Sequence, residues 1–226
     1  MNAVGVDYGS LDKASPADAG VDYDPFAEGG LARVAPTTEP QREVWLADRL
    51  GRDASLAYNE SISLHFHGRL DADAVRTALR QLVARHDVLR SNFGPDGKTL
   101  CVAESVDFDL ASIDLSGLTP DQRDARVAAH AREVVETPFE LDHGLLLRAE
   151  LLRLSDEEHL LVLTAHHLVC DGWSWWVIVR ELGTLYTQAL GHATPPLPAA
   201  ESFADYALAG GEHPSCRLFR DDGGYW

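Results

Sequence analysis

Two apolar runs lie almost end to end in the second half of the chain. Residues 145–154 and 159–166 are dominated by Leu, Val and Ala, and only Ser155-Asp156-Glu157-Glu158 separates them. Each is far short of the ~18 consecutive apolar residues that a membrane helix needs. A short polar break suits an antiparallel pair, and strands with so little polar alternation have to be buried on both faces. The chain must therefore build a sheet interior around these residues and find cover for both sides of it. With 226 residues, 45% hydrophobic and 24% charged, it has the material for one domain with such a core.

The cover is legible as helices. Thr38 precedes Glu39-Pro40-Gln41 as an N-cap, with Val44, Trp45 and Leu46 as the apolar side of the helix that follows. Asp71 opens a run in which Val75, Leu79, Leu82 and Val83 recur at helical spacing. Thr119-Pro120-Asp121-Gln122 is a capping box, and its helix stops before Pro138. Past Gly172 a long helix places Trp175, Ile178, Val179, Leu182, Leu185 and Tyr186 on one core stripe, and a short one is expected near Phe203 to Leu208.

Further strands are expected where residues 58–67 alternate, with Ile62, Leu64 and Phe66 on one face, and in a hairpin of 89–93 with 99–103 about Pro95-Asp96-Gly97-Lys98. Strands and helices interleave without Gly-rich crossovers, so the predicted class is α+β with a mixed, largely antiparallel sheet. Residues 1–34, acidic and without periodicity, read as a flexible leader; 35–208 form the folded unit and 209–226 a tail.

Composition narrows the partners. Nineteen Lys plus Arg against 36 Asp plus Glu give a net charge of −17, which repels phosphate backbones and anionic lipid, so neither nucleic acid nor membrane is an expected partner. The cysteines Cys101, Cys170 and Cys216 follow no ligand spacing and are odd in number. That pattern fits a cytoplasmic protein without a disulfide framework. No Gly-x-Ser-x-Gly elbow, phosphate loop or dinucleotide fingerprint occurs.

The segment with chemistry in it is His166-His167-Leu168-Val169-Cys170-Asp171-Gly172-Trp173-Ser174, where a buried strand passes into a helix. Neighbouring histidines on extended backbone point to opposite faces, so only one can enter a given pocket. The natural division makes His167 the base in the cleft and His166 an inward, hydrogen-bonded support. Asp171 is expected to pair with an arginine and fix the loop, and Gly172 to let a ligand approach the backbone. A metal is not expected, because the two rings diverge and no third ligand is evident. Cys170 as a nucleophile lacks any feature that would orient it toward His167.

His166 to Ser174 resembles the HHxxxDG signature of nonribosomal peptide synthetase condensation domains, of the chloramphenicol-acetyltransferase-like superfamily. Thr38 to Leu46 is similar to that family's opening helix motif, Arg85 to Phe93 to its RHxxLRxxF motif, and Phe203 to Ala207 to the next, all in family order. The resemblance implies a chloramphenicol-acetyltransferase-like lobe, one of two that flank the active site. The implied reaction is amide formation between an acyl or peptidyl thioester and an amine acceptor. Both substrates ride on the phosphopantetheine of donor and acceptor peptidyl carrier proteins, so no cofactor is bound directly. It also implies His167 as the catalytic histidine, supported by His166, Asp171 and Gly172, with Arg85 or Arg90 as the partner of Asp171. A complete family domain is roughly twice this length, so a second condensation lobe is an expected partner. The other readings are a non-catalytic carrier-docking or scaffold fragment and a stand-alone HxxxDG acyltransferase.

Overall fold

The computed structural model of the chain describes residue 26 and residues 30–210. Most of the expected leader and tail, Cys216 included, lie outside the described residues. The two apolar runs pair as antiparallel strands β6 (Leu147–Ser155) and β7 (Glu158–His166) at the centre of the larger sheet. Strand β2 (Asn59–His67) adds antiparallel to β7, and β5 (Ala111–Asp114) adds parallel to β6, giving the order β2-β7-β6-β5. Strands β1 (Leu31–Pro36), β4 (Thr99–Ala103) and β3 (Ser91–Phe93) form a second, antiparallel sheet in the order β1-β4-β3.

Why β7 lacks polar alternation is clear from what covers it. Leu161, Leu163 and Ala165 enter the main core, where α3 (Ala72–Arg85) contributes Val75, Leu79 and Leu82, and α5 (Gly172–Ala189) contributes Trp175, Ile178, Leu182 and Leu185. Leu160 and Val162 face the other way, onto a smaller cluster that includes Val134 of α4 (Pro120–Val135). Strand β6 is less uniform: Glu150, on its second face, meets His130 of α4 at 3.1 Å. Ile62, Leu64 and Phe66 of β2 pack on the main core, as their alternation predicts.

The capping signals are realised in the structure. Thr38 and Gln41 form a reciprocal box at the start of α1 (Glu39–Asp48), and Thr119 and Gln122 form another at α4. Asp71 caps α3 through its Oδ1. Gly97 turns the β3–β4 hairpin at φ +69°, and a Cβ there would lie 2.4 Å from the Trp45 ring, so the position excludes any side chain.

Several expectations need correction. Regular structure reaches into the expected 1–34 leader, because β1 begins at Leu31 and pairs with β4. The first part of the expected strand 89–93 is a 3₁₀ turn, Asp87–Arg90, leaving Ser91–Phe93 as strand. Val179 is exposed rather than on the core stripe, as are Trp173 and Trp176 on the same helix. The short helix α2 (Arg52–Leu56) and the parallel strand β5 carry no periodicity that would announce them. The remaining helix, α6 (Phe203–Leu208), lies beside β1 and the 3₁₀ turn.

Candidate active site

Strand β7 ends at His166, and the two histidines separate as strand geometry demands. His166 is wholly buried: its Nδ1 accepts from the Leu168 N–H at 3.2 Å, and its Nε2 faces Asp48 Oδ1 at 3.3 Å. With a backbone donor on Nδ1, the proton of the neutral ring resides on Nε2. Burial is the strongest influence on this ring and pushes its pKa below the ordinary value, while Asp48 works in the opposite sense.

This arrangement predicts a pH response. The unfolded chain takes up a proton near pH ~6.5 that the folded chain refuses, so His166 stabilises the fold fully above that value and progressively less as pH falls below it. Urea unfolding between about pH 7.5 and 5.5 should show stability declining with acidity, and His166→Gln should flatten that decline. An identical slope in both proteins would contradict it.

His167 continues the pairing past the end of β7, its N–H donating to Tyr58 O at 2.8 Å. Its ring lies on the open side, 38% exposed, with Nδ1 2.8 Å from Glu60 Oε1. The other carboxylate oxygen of Glu60 accepts from Trp175 Nε1 at 3.0 Å. Beside the ring runs a groove of about 320 Å³ whose walls include Pro40, Val44, Val88, Phe203 and Tyr206. Gln41 secures the turn that carries the site, donating from Nε2 to Leu168 O at 3.1 Å. The site thus draws on α1, the 3₁₀ turn, β7, α5 and α6, which hold or adjoin the four sequence motifs, and on β2 for Glu60.

Residues 31–226 match the family model described as condensation domain. The chain belongs to the condensation-domain family. Similar curated proteins include chondramide synthase cmdD of Chondromyces crocatus, 36% identical over 178 residues, which are 78% of this chain and 4% of that protein. Phosphinothricin tripeptide synthetase PhsC of Streptomyces viridochromogenes is 38% identical over 179 residues, 76% of this chain and 16% of that one.

Among solved structures, the starter condensation domain of the rhizomide synthetase superposes with a TM-score of 0.70 at 23% identity, covering 79% of this chain and 45% of that chain. The X-domain from teicoplanin biosynthesis gives 0.65 at 30% identity, covering 84% and 40%. The chain thus spans a small part of the synthetases it matches and less than half of the solved condensation domain. Its fold is one lobe of such a domain.

One expectation about this condensation lobe is not met by the geometry. Asp171 does not pair with Arg85 or Arg90. It is the N-cap of α5, its Oδ1 accepting from the Ser174 N–H at 2.8 Å and from Ser174 Oγ at 2.6 Å. Burial tends to raise its pKa, yet these hydrogen bonds and the nearby His167 hold the carboxyl below its ordinary value. A helix start already supplies donors and a positive dipole end, so no guanidinium is needed there. Arg85 instead meets Glu181 Oε2 of α5 at 2.9 Å, alongside His86 at 2.8 Å, and Arg90 donates to Ala103 O. At Gly172 a Cβ would meet nothing within 4 Å, so the backbone edge at the start of α5 is open.

Capping separates two substitutions that an ion pair would not. Asp171→Ala should cost about 1 kcal/mol and Asp171→Asn only a few tenths, because asparagine caps nearly as well as aspartate. Chemical denaturation of both variants checks this; equal losses would contradict it.

The remaining candidates are less apt for chemistry. Cys170 is buried, and that burial, with Glu60 and Asp171 adding to it, pushes its thiol well above the ordinary range, away from a thiolate. Among the described residues no group of three or more His, Cys, Asp and Glu side chains is arranged to hold a metal ion. No described helix is long and apolar enough to cross a membrane.

Proposed function

We propose that this chain supplies the histidine-bearing lobe of an amide-forming condensation reaction. The amino group of one substrate attacks the thioester carbonyl of an acyl or peptidyl group; the C–N bond forms and the C–S bond breaks. His167 Nε2 takes a proton from the attacking nitrogen and returns it to the departing thiol. Both substrates are delivered on the phosphopantetheine arms of donor and acceptor carrier proteins, and a second condensation lobe closes the other side of the site. Such a reaction runs in the cytoplasm, beside the synthetase modules that load the carriers.

The observation that carries this reading is the half-exposed His167 ring at the edge of the groove. One ring nitrogen is held by a carboxylate and the other is left for chemistry, while its neighbour His166 is locked in the core. His166, Asp171 and Gly172 act as supports: a core anchor, a helix cap and an open backbone edge. Arg85 and Arg90 brace the lobe away from the reacting centre.

A carrier-docking role without chemistry is the second reading. What supports it is a docking precedent: the similar teicoplanin X-domain has been solved as a complex with another protein, OxyB. Product formation from two carrier-bound substrates, in an assembly that contains this chain, distinguishes them. Amide that accumulates with His167 intact and fails to accumulate with His167→Ala supports the catalytic reading. Equal product with both supports docking alone.

A further inference from the structure

We infer that Glu60 is the positioning residue of this site, holding the proton of His167 on Nδ1 so that Nε2 faces the groove as a bare acceptor. The inference rests on the reading of His167 as the base. Nothing in the four motifs includes Glu60; it comes from β2, whose pairing with β7 places it opposite Ala165, at the level of the histidines.

Both carboxylate oxygens have a close partner. The indole Nε1–H of Trp175 can only donate, and it lies 3.0 Å from Oε2. Trp175 is buried on α5, so this partner is fixed by the core. The second oxygen, Oε1, is 2.8 Å from His167 Nδ1, and an ionised carboxylate only accepts. At that separation two lone pairs cannot face one another, so the neutral imidazole turns its Nδ1–H side to Glu60 and keeps its lone pair on Nε2. Backbone geometry restricts the ring further, since the His167 N–H is tied to Tyr58 O, close to Glu60 on the same stretch of chain, and the Tyr58 ring stacks on His167 at 6.4 Å.

The neighbouring histidines thus hold opposite tautomers. In His166 a backbone donor occupies Nδ1 and the proton is on Nε2; in His167 a carboxylate occupies the Nδ1 side and the proton is there. When Nε2 of His167 takes the proton of the attacking amine, the resulting imidazolium already faces a carboxylate that needs no rearrangement. Glu60 itself is not among the residues that line the groove, so it acts through His167 rather than on substrate. Asp171, the other carboxylate close to this ring, is engaged in capping α5.

Ring-nitrogen NMR on the intact chain with 15N-labelled histidine tests this directly, His167→Ala providing the assignment. In the native chain His167 should show a protonated Nδ1 and a bare Nε2, with His166 as the reversed internal control. A native His167 whose proton sits on Nε2 overturns the inference without any variant.

In Glu60→Gln, the amide offers one acceptor and one donor to two partners that both donate. Its NH₂ group turns toward His167 Nδ1, and the His167 tautomer should shift toward Nε2–H while His166 stays unchanged. In a product-forming assembly, kcat should fall about 10²-fold with KM unchanged, the size expected for a lost orienting partner. An unaltered tautomer, or an unaltered kcat, overturns the positioning role. The two readings fail differently: if His167→Ala retains full turnover, the base assignment falls. If His167→Ala is inactive and Glu60→Gln is fully active, only the assignment of Glu60 falls.

Discussion

His167→Ala is expected to lower amide formation by about 10²- to 10⁴-fold in a product-forming assembly, the usual contribution of a positioned general base. The loss should appear in kcat, with KM for the carrier-bound substrates little changed, because a proton acceptor acts as the bond forms rather than as substrate docks. Thermal melting should stay near that of the native chain. The His167 side chain is 38% exposed and its ring is tied to Glu60, which is itself 32% exposed, so truncation opens no sealed cavity. Melting curves and single-turnover assays on the same preparation separate the two effects. A large drop in melting temperature together with lost turnover would make His167 a structural residue.

The second large effect concerns stability. Glu181 is 3% exposed and accepts from both Arg85 and His86, so Glu181→Ala leaves these two part-buried side chains without their shared acceptor. Burial alone would raise the carboxyl pKa, yet these two partners hold it below its ordinary value, as expected of an engaged, ionised acid. Removing one member of such a group costs about 3 kcal/mol, which for a chain of this size lowers Tm by roughly 6 to 12 °C. Arg85→Ala combined with Glu181→Ala should be less damaging than the sum of the two, by more than about 1 kcal/mol. Strict additivity would show that the pair is not coupled.

The same motif reaches further than α5. Asp87, next to the Arg85-His86 pair, accepts from the backbone N–H groups of Phe203 and Ala204 and from Ser202 Oγ at the start of α6. Since Phe203 and Tyr206 form part of the groove wall, Arg85-His86-Asp87 binds α3 to the two helices on which the site is built. A motif that touches no reacting atom still sets the shape of the site.

Legibility in the sequence followed the range of the interaction. The β6–β7 pair, the long helix α5, the N-cap at Thr38 and the capping box at Thr119 were readable, because periodicity, burial and capping are written within a few residues of each other. The separation of His166 from His167 was readable for the same reason, as it needs only the alternation of a strand. Strand β5 escaped because Ala111-Ser112-Ile113-Asp114 is short and half polar, and only its parallel alignment with β6 makes it a strand. The partner of Asp171 was misread because an acid at a helix start is as well served by nearby N–H groups as by an arginine. Glu60 was missed for a related reason: its carboxylate meets His167 only through the β2–β7 register, which no local pattern announces.

That register makes the site sensitive to length in a way it is not sensitive to composition. Substitutions along β7 that keep residues apolar alter packing by small steps and leave each side chain on its own face. One residue inserted between Leu160 and Ala165, and absorbed as a slip against β2 and β6, would exchange the two faces for everything beyond it. His166 would then take the groove position and Ala165 the place beside Asp48, with His167 carried past the end of the strand, although every motif residue is still present in order. Whether the strand has an odd or even count of residues is thus as much a part of the active site as the imidazole.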